Sequence, residues 1–108
     1  MREIMKHYVP NRPIINELSQ KLNALANPNR LSIIAHLNNG EMTVGTLADA
    51  VGLGQSALSQ HLLKMKIIGL VQARKKGQLR FYSLTDELSN SLIGSAVVSE
   101  LKRRHTIR

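Results

Sequence analysis

The 108-residue chain contains no cysteine. That absence excludes a disulfide framework, a thiolate metal site and a dithiol redox switch together. Long apolar runs are missing as well, and the longest present are far too short to span a bilayer. No apolar core of secretory length follows Met1-Arg2-Glu3, so the expected setting is the cytoplasm, with no membrane partner. Acidic residues are scarce, seven against fifteen Lys and Arg, for a formal net charge of +8. None occurs between Asp49 and Asp86, and the charges in that window are Lys64, Lys66, Arg74, Lys75, Lys76 and Arg80. A surface built for solubility alone mixes signs, whereas a surface of one positive sign suits phosphates. Paired carboxylates, a nucleophile beside its base and a glycine-rich phosphate loop are also lacking, so no catalytic residue and no cofactor is assigned.

At this length a chain folding alone would bury only about 60–65% of the surface that its unfolded form exposes. A partner subunit is therefore expected. What the sequence does contain is organised around residues 43–65. Val44, Leu47, Ala48 and Val51 recur at the three-and-four spacing that puts side chains on one helix face. Gly52-Leu53-Gly54 then interrupts the period, because glycine lets the backbone turn sharply while Leu53 tucks inward. A second helix follows, with Ala57, Leu58, Leu62 and Met65 as its apolar stripe and Gln55, Ser56, Ser59, Gln60 and Lys64 opposite. Fold stability does not require an outer face of amides, hydroxyls and an ammonium group. A helix lying in a DNA major groove does, since such groups read base edges and phosphates. The pair is predicted to be a helix-turn-helix over residues 43–66, with His61 as a further DNA-contact candidate and Ser56 also able to start the helix by hydrogen bonding.

Upstream, residues 1–12 show no sustained period and read as a loose arm carrying Arg2, Lys6, His7 and Arg12. Ile14, Leu18, Leu22 and Leu25 predict a helix over residues 13–26, with Pro13 in its first turn. Asn27 is suited to cap a second helix from about Pro28 to Asn38, whose buried face is Leu31, Ile34 and Leu37 beside Ile33. Arg30 on that helix has either a structural or a phosphate-anchoring job. Asn39-Gly40 stops the helix, and Thr43 caps the next. Downstream, residues 70–84 have a β-hairpin pattern in which two strand-like runs flank Lys75-Lys76-Gly77-Gln78. A basic hairpin directly after a reading helix is a wing, and its DNA-contact candidates are Arg74, Lys75, Lys76, Gln78 and Arg80. Thr85 or Asp86 caps one last helix over residues 86–104, striped by Leu88, Leu92, Ile93, Ala96, Val97 and Leu101. Lys102, Arg103 and Arg104 stand at its end, where the helix dipole favours cations.

Both terminal helices carry more apolar residues than such a core uses. They are predicted to pair two copies into a homodimer through Ile14, Leu18, Leu22, Leu88, Leu92, Ile93, Ala96 and Val97, with the last helix as the stronger candidate. Two-fold pairing sets two reading helices about one DNA turn apart, ~34–36 Å, and matches a pseudo-palindromic operator. The expected fold is thus mainly α with a small β-hairpin: a winged helix-turn-helix of about five helices and a two-stranded wing, forming one domain over residues 1–108.

Leu25-Ala26-Asn27-Pro28-Asn29-Arg30-Leu31, Glu41-Met42-Thr43-Val44-Gly45-Thr46-Leu47, Gln55-Ser56-Ala57-Leu58-Ser59-Gln60-His61-Leu62 and the basic hairpin together resemble the ArsR/SmtB family of winged-helix repressors over roughly residues 18–101. The resemblance implies a homodimer joined through its first and last helices, binding operator DNA and usually repressing transcription. The family's sensing chemistry does not carry over. Where its thiolate sensors have cysteines, this chain has residues that look like Thr43 and Gly45, neither of which ligates a soft metal. The last helix offers Glu100 and His105, which at a spacing of five point to different faces. No metal site is assigned, and the chain is most similar to cysteine-free, nodulation-type global repressors. Control is then expected from protein abundance, or from a small-molecule or protein effector at the dimer interface.

Three function classes follow. A dimeric, sequence-specific repressor accounts for the amide-and-hydroxyl helix face. A sequence-neutral nucleic-acid-binding or architectural protein accounts for the charge but not for that face. An enzyme accounts for neither.

Overall fold

The computed structural model describes residues 11–105. The expected basic arm lies outside the described residues except for Asn11 and Arg12, and these two belong to the first helix instead. Helix α1 (Arg12–Leu25) begins where the Asn11 Oδ1 accepts a hydrogen bond from the Ile14 N–H at 3.2 Å, with proline in the first turn, where a missing N–H leaves nothing unpaired. Helix α2 (Pro28–Leu37) repeats the device, the Asn27 Oδ1 accepting from the Arg30 N–H at 3.1 Å. A two-residue strand β1 (Met42–Thr43) runs directly into α3 (Val44–Val51), which is capped by the Thr43 hydroxyl accepting from the Thr46 N–H at 3.3 Å.

Gly52 ends α3 in the left-handed conformation, at φ 74°, which would cost a residue bearing a Cβ about 1–2 kcal/mol. Helix α4 (Gln55–Ile68) follows and is closed by Gly69. Strands β2 (Val71–Lys76) and β3 (Leu79–Leu84) form the hairpin, and α5 (Asp86–Asn90) and α6 (Leu92–His105) complete the described chain. The fold is a winged helix-turn-helix, with six helices among the described residues and a three-stranded antiparallel sheet in the order β1-β3-β2.

Three expectations change. The two-stranded wing gains a third strand, because Met42 and Thr43 pair with Tyr82 and Phe81; two residues are too few to show a strand period. Lys75 and Lys76 lie on strand β2 and not in a turn, since Lys76 pairs with Leu79 and leaves only Gly77-Gln78 as the loop. The last helix is two helices. Ser91 takes an extended conformation, donates its hydroxyl to the Leu88 carbonyl at 3.0 Å and accepts from the Gly94 N–H at 2.9 Å, so one serine ends α5 and starts α6.

The core gathers Ile33, Ile34 and Leu37 from α2, Leu47 and Ala48 from α3, and Leu58, Leu62 and Met65 from α4, with Leu70, Val71, Tyr82 and Leu88 closing it. Ala57, expected in that stripe, is exposed, and Leu31 is only half-buried. Arg30 is buried instead, and its Nη1 donates to the Ala24 carbonyl at 3.3 Å, near the C-terminal end of α1, where a cation is favoured. Its job is structural. The Thr85 hydroxyl, and not Asp86, caps α5 by accepting from the Leu88 N–H at 3.1 Å, while it donates to the Gly69 carbonyl at 2.7 Å and so ties α5 to the end of α4.

Gly94 is buried where α5 and α6 cross, and a Cβ placed on it would overlap the Leu88 carbonyl oxygen. Gly94→Ala is expected to destabilise the fold by about 1–3 kcal/mol, the usual cost of overpacking. Thermal midpoints measured against Ser95→Ala, an exposed neighbour, check this; equal midpoints would mean that the two helices do not need the close approach.

Candidate nucleic-acid interface

Rotation of α4 about its axis decides what it shows to solvent. Leu58, Leu62 and Met65 are inaccessible, and successive residues turn by about 100°, so the opposite, outward face carries Ser56, Ser59, Gln60 and Lys64. All four are exposed. Gln55 is exposed on one flank, its Nε2 lying 3.9 Å from where a Cβ on Gly45 of α3 would stand. His61 is half-buried on the other flank and is not part of the outward group. Ser56 sits inside the first turn and makes no capping bond, because Gly54 occupies the cap position. The structure therefore gives Ser56 no part in starting the helix.

Two exposed residues on that same face are not singled out by the sequence pattern, Leu63 and Ile67. A helical-period search assigns apolar residues to the core by default. The signal available is their offset by one residue from Leu62 and by two from Met65, which turns them away from the buried stripe.

The hairpin divides its basic residues between two faces. Lys75 and Arg80 are direct cross-strand partners on the side of Val71, Ala73 and Tyr82, beyond the core. Like charges directly opposite each other destabilise a β-ladder, so an anion bridging them would relieve the pair. Both are exposed. On the other side, Arg74 faces Phe81 with its guanidinium carbon 4.8 Å from the ring centroid, and its Nε donates to the Glu41 Oε2 at 2.9 Å while Nη2 donates to Oε1. Those hydrogen bonds hold the Glu41 carboxyl below its ordinary range and raise Arg74 further. The ion pair is therefore intact above the ordinary carboxylate range and is lost as pH falls through the lowered value. Of the five wing candidates, Arg74 thus already has a carboxylate partner, while Lys75, Lys76, Gln78 and Arg80 are exposed around the hairpin tip.

The terminal helices exchange roles relative to expectation. On α1, Ile14, Leu18 and Leu22 are 62%, 45% and 45% exposed, so that stripe does not close the chain's own core. On α5 and α6 the pattern is the reverse. Leu88 is a core residue, and Ile93, Val97 and Leu101 pack against the core, which leaves Leu92, 88% exposed, and Ala96 facing outward. Between these helices runs an apolar groove of about 270 Å³ lined by Leu18, Leu22, Leu25, Leu88 and Leu92, with the Lys21 ammonium donating to Glu87 at 2.8 Å on its rim. Among the described residues no three His, Asp or Glu side chains cluster as metal ligands would, and no helix is long and apolar enough to cross a membrane.

Comparison with known proteins matches residues 27–73 to the bacterial regulatory protein, arsR family. The nodulation protein NolR of Rhizobium meliloti is 46% identical over 74 residues, which cover 68% of this chain and 61% of that protein. The crystal structure of NolR from Sinorhizobium fredii superposes with a TM-score of 0.72 at 36% identity, covering 90% of this chain and 96% of that one. A homodimeric winged helix-turn-helix DNA-binding domain from Mycobacterium bovis, solved by NMR in solution, gives 0.73 at 27% identity over 94% of this chain and 97% of that one. With its helix-turn-helix, its wing and these relatives, the chain belongs to the arsR family of bacterial regulatory proteins.

Proposed function

We propose that this chain is a DNA-binding regulator of transcription, a homodimeric repressor working in the cytoplasm on a pseudo-palindromic operator. One observation carries the reading: α4 is held by a fully buried stripe so that Ser56, Ser59, Gln60 and Lys64 face solvent together. Hydroxyls and amides in a row are base-reading chemistry, and the neighbouring Lys75 and Arg80 are suited to the flanking phosphates. Sequence-neutral binding would be served by the charge alone and gives no use to the amides. The family of regulators to which the chain belongs, and the winged-helix relatives named above, support a role in transcription over catalysis. Footprinting of the purified protein on the DNA flanking its own gene tests the proposal; uniform protection without a preferred site would reject it.

The exposed apolar line of α1, continued by Leu92 across the groove, is the surface a second copy would cover. The homodimeric Mycobacterium relative supports the pairing of two copies.

Three expected outcomes follow from this reading. Ser59→Ala or Gln60→Ala should weaken operator binding by about 1–3 kcal/mol while leaving binding to a scrambled duplex nearly unchanged. Fluorescence anisotropy on both duplexes measures it, and equal losses would count against base reading. Lys75→Ala combined with Arg80→Ala should weaken binding to every duplex alike and flatten the log-log salt dependence by about 0.9 for each phosphate that the variant no longer neutralises. The free protein should keep its thermal midpoint, because the removed charges repel each other. An unchanged salt slope would show that the wing stays off DNA. Leu18→Asp or Leu92→Asp should dissociate the dimer, since a carboxylate would have to be desolvated without a partner. Light scattering decides it, and a variant that stays dimeric would put the interface elsewhere.

A further inference from the structure

The outward face of α4 changes chemistry along its length. Its first two turns carry Ser56, Ser59 and Gln60, and its next two carry Leu63 and Ile67, 60% and 77% exposed. Counting about 100° per residue, Leu63 falls between Ser59 and Gln60 around the axis, and Ile67 falls between Ser56 and Gln60. They therefore lie in the middle of the face already assigned to base reading and not at its edge. Isolated exposed leucines are ordinary, but two large aliphatic side chains one turn apart on a solvent-facing line lose hydrophobic free energy unless something covers them. The covering group must tolerate cations, because Lys64 and Lys66 flank the pair and α4 carries no acidic residue.

We infer that Leu63, backed by Ile67, reads the C5-methyl groups of thymine in the operator half-site. The major groove offers one apolar group, that methyl, surrounded by hydrogen-bonding edges and phosphates. This matches an aliphatic pair continuing a line of hydroxyls and amides between lysines. Leu63 lies four residues, about 6 Å along the helix axis, beyond Ser59, which is less than two base-pair steps of ~3.4 Å. The thymine it meets is therefore next to or one step removed from the base pair read by Ser59. The inference rests on the proposed DNA-reading role of α4 and adds to it a residue and the base feature that the residue recognises.

Replacing thymine by deoxyuridine removes only the methyl and leaves every hydrogen-bonding group in place. The probe is the tightest duplex that the full-length protein selects from random-sequence DNA, with each half-site thymine replaced in turn. The wild-type protein should lose roughly three- to fivefold in affinity at one or two thymines, the worth of one buried methyl group each, and about tenfold or more when both half-sites are changed. Leu63→Ala should bind the thymine duplex more weakly and no longer distinguish it from the deoxyuridine duplex, whereas Gln60→Ala should keep that distinction. The Leu63 site is exposed, so alanine there does not disturb the core. Indifference of the wild-type protein to deoxyuridine at every position, with operator still preferred over scrambled DNA, overturns the inference and leaves the proposed function standing. Loss of all preference between duplexes overturns both.

Discussion

Burial of Leu58, Leu62 and Met65 in one core with Leu47 and Ala48 fixes the rotation of α4 about its own axis, and the remaining surfaces take their meaning from that. A slip of one residue would turn the helix by about 100°, carry Ser59 and Leu63 into the core and bring Met65 toward solvent. Desolvating a hydroxyl without a partner and exposing a large apolar side chain each costs on the order of kilocalories, so the register is held from both sides. The turn before the helix serves the same end. Gly52, left-handed at the end of α3, lets the chain reverse within three residues, and Leu53 packs against the core as it does so. The proposed reading face is thus set by the inward face of the same helix.

That is why α4 is legible in the sequence alone. Its two faces are written in different residue types at a period of 3.6, and the structure keeps both apart. The caps are equally legible, because Asn27 and Thr43 act through bonds to residues three positions along, which short-range spacing captures. Ala57, Leu63 and Ile67 are not. Periodicity counts apolar residues without asking whether a stripe already has enough, and α4 carries two aliphatic lines where its core contact needs one.

Features decided by tertiary contact lie beyond that kind of reading. Leu88 and Leu92 are four residues apart and read as one continuous helical stripe, yet the chain breaks between them because Ser91 satisfies the Leu88 carbonyl and the Gly94 N–H at once, and Gly94 lets the two helices meet. The break turns Leu88 inward and Leu92 outward, which takes Leu88 from the expected interface into the core. Glu41 is another case. Along the chain it lies 33 residues from Arg74, outside the acid-free window, but β1 joins the sheet beside β3 and brings its carboxylate to the wing. The local charge of the hairpin is one unit less positive than its own sequence states, and the proposed phosphate-facing role shifts toward Lys75 and Arg80.

The surface proposed for the second copy and the helix proposed for DNA are joined by a short hydrogen-bonded path. Gly69 and Leu70 end α4 and also border the groove beside Leu22, Leu88 and Leu92. From there the Thr85 hydroxyl donates to the Gly69 carbonyl, and Glu87, whose Oε2 would stand 3.0 Å from a Cβ on Gly69, receives the Lys21 ammonium of α1. Lys21 holds its proton more tightly for that bond, so its side of the link persists across the neutral range and is lost as pH rises through its raised value. A two-fold dimer built on this groove would hold its two reading helices through few intervening residues. Their separation, and with it the spacing between operator half-sites, then follows from the packing of α1, α5 and the end of α4 and not from a flexible linker.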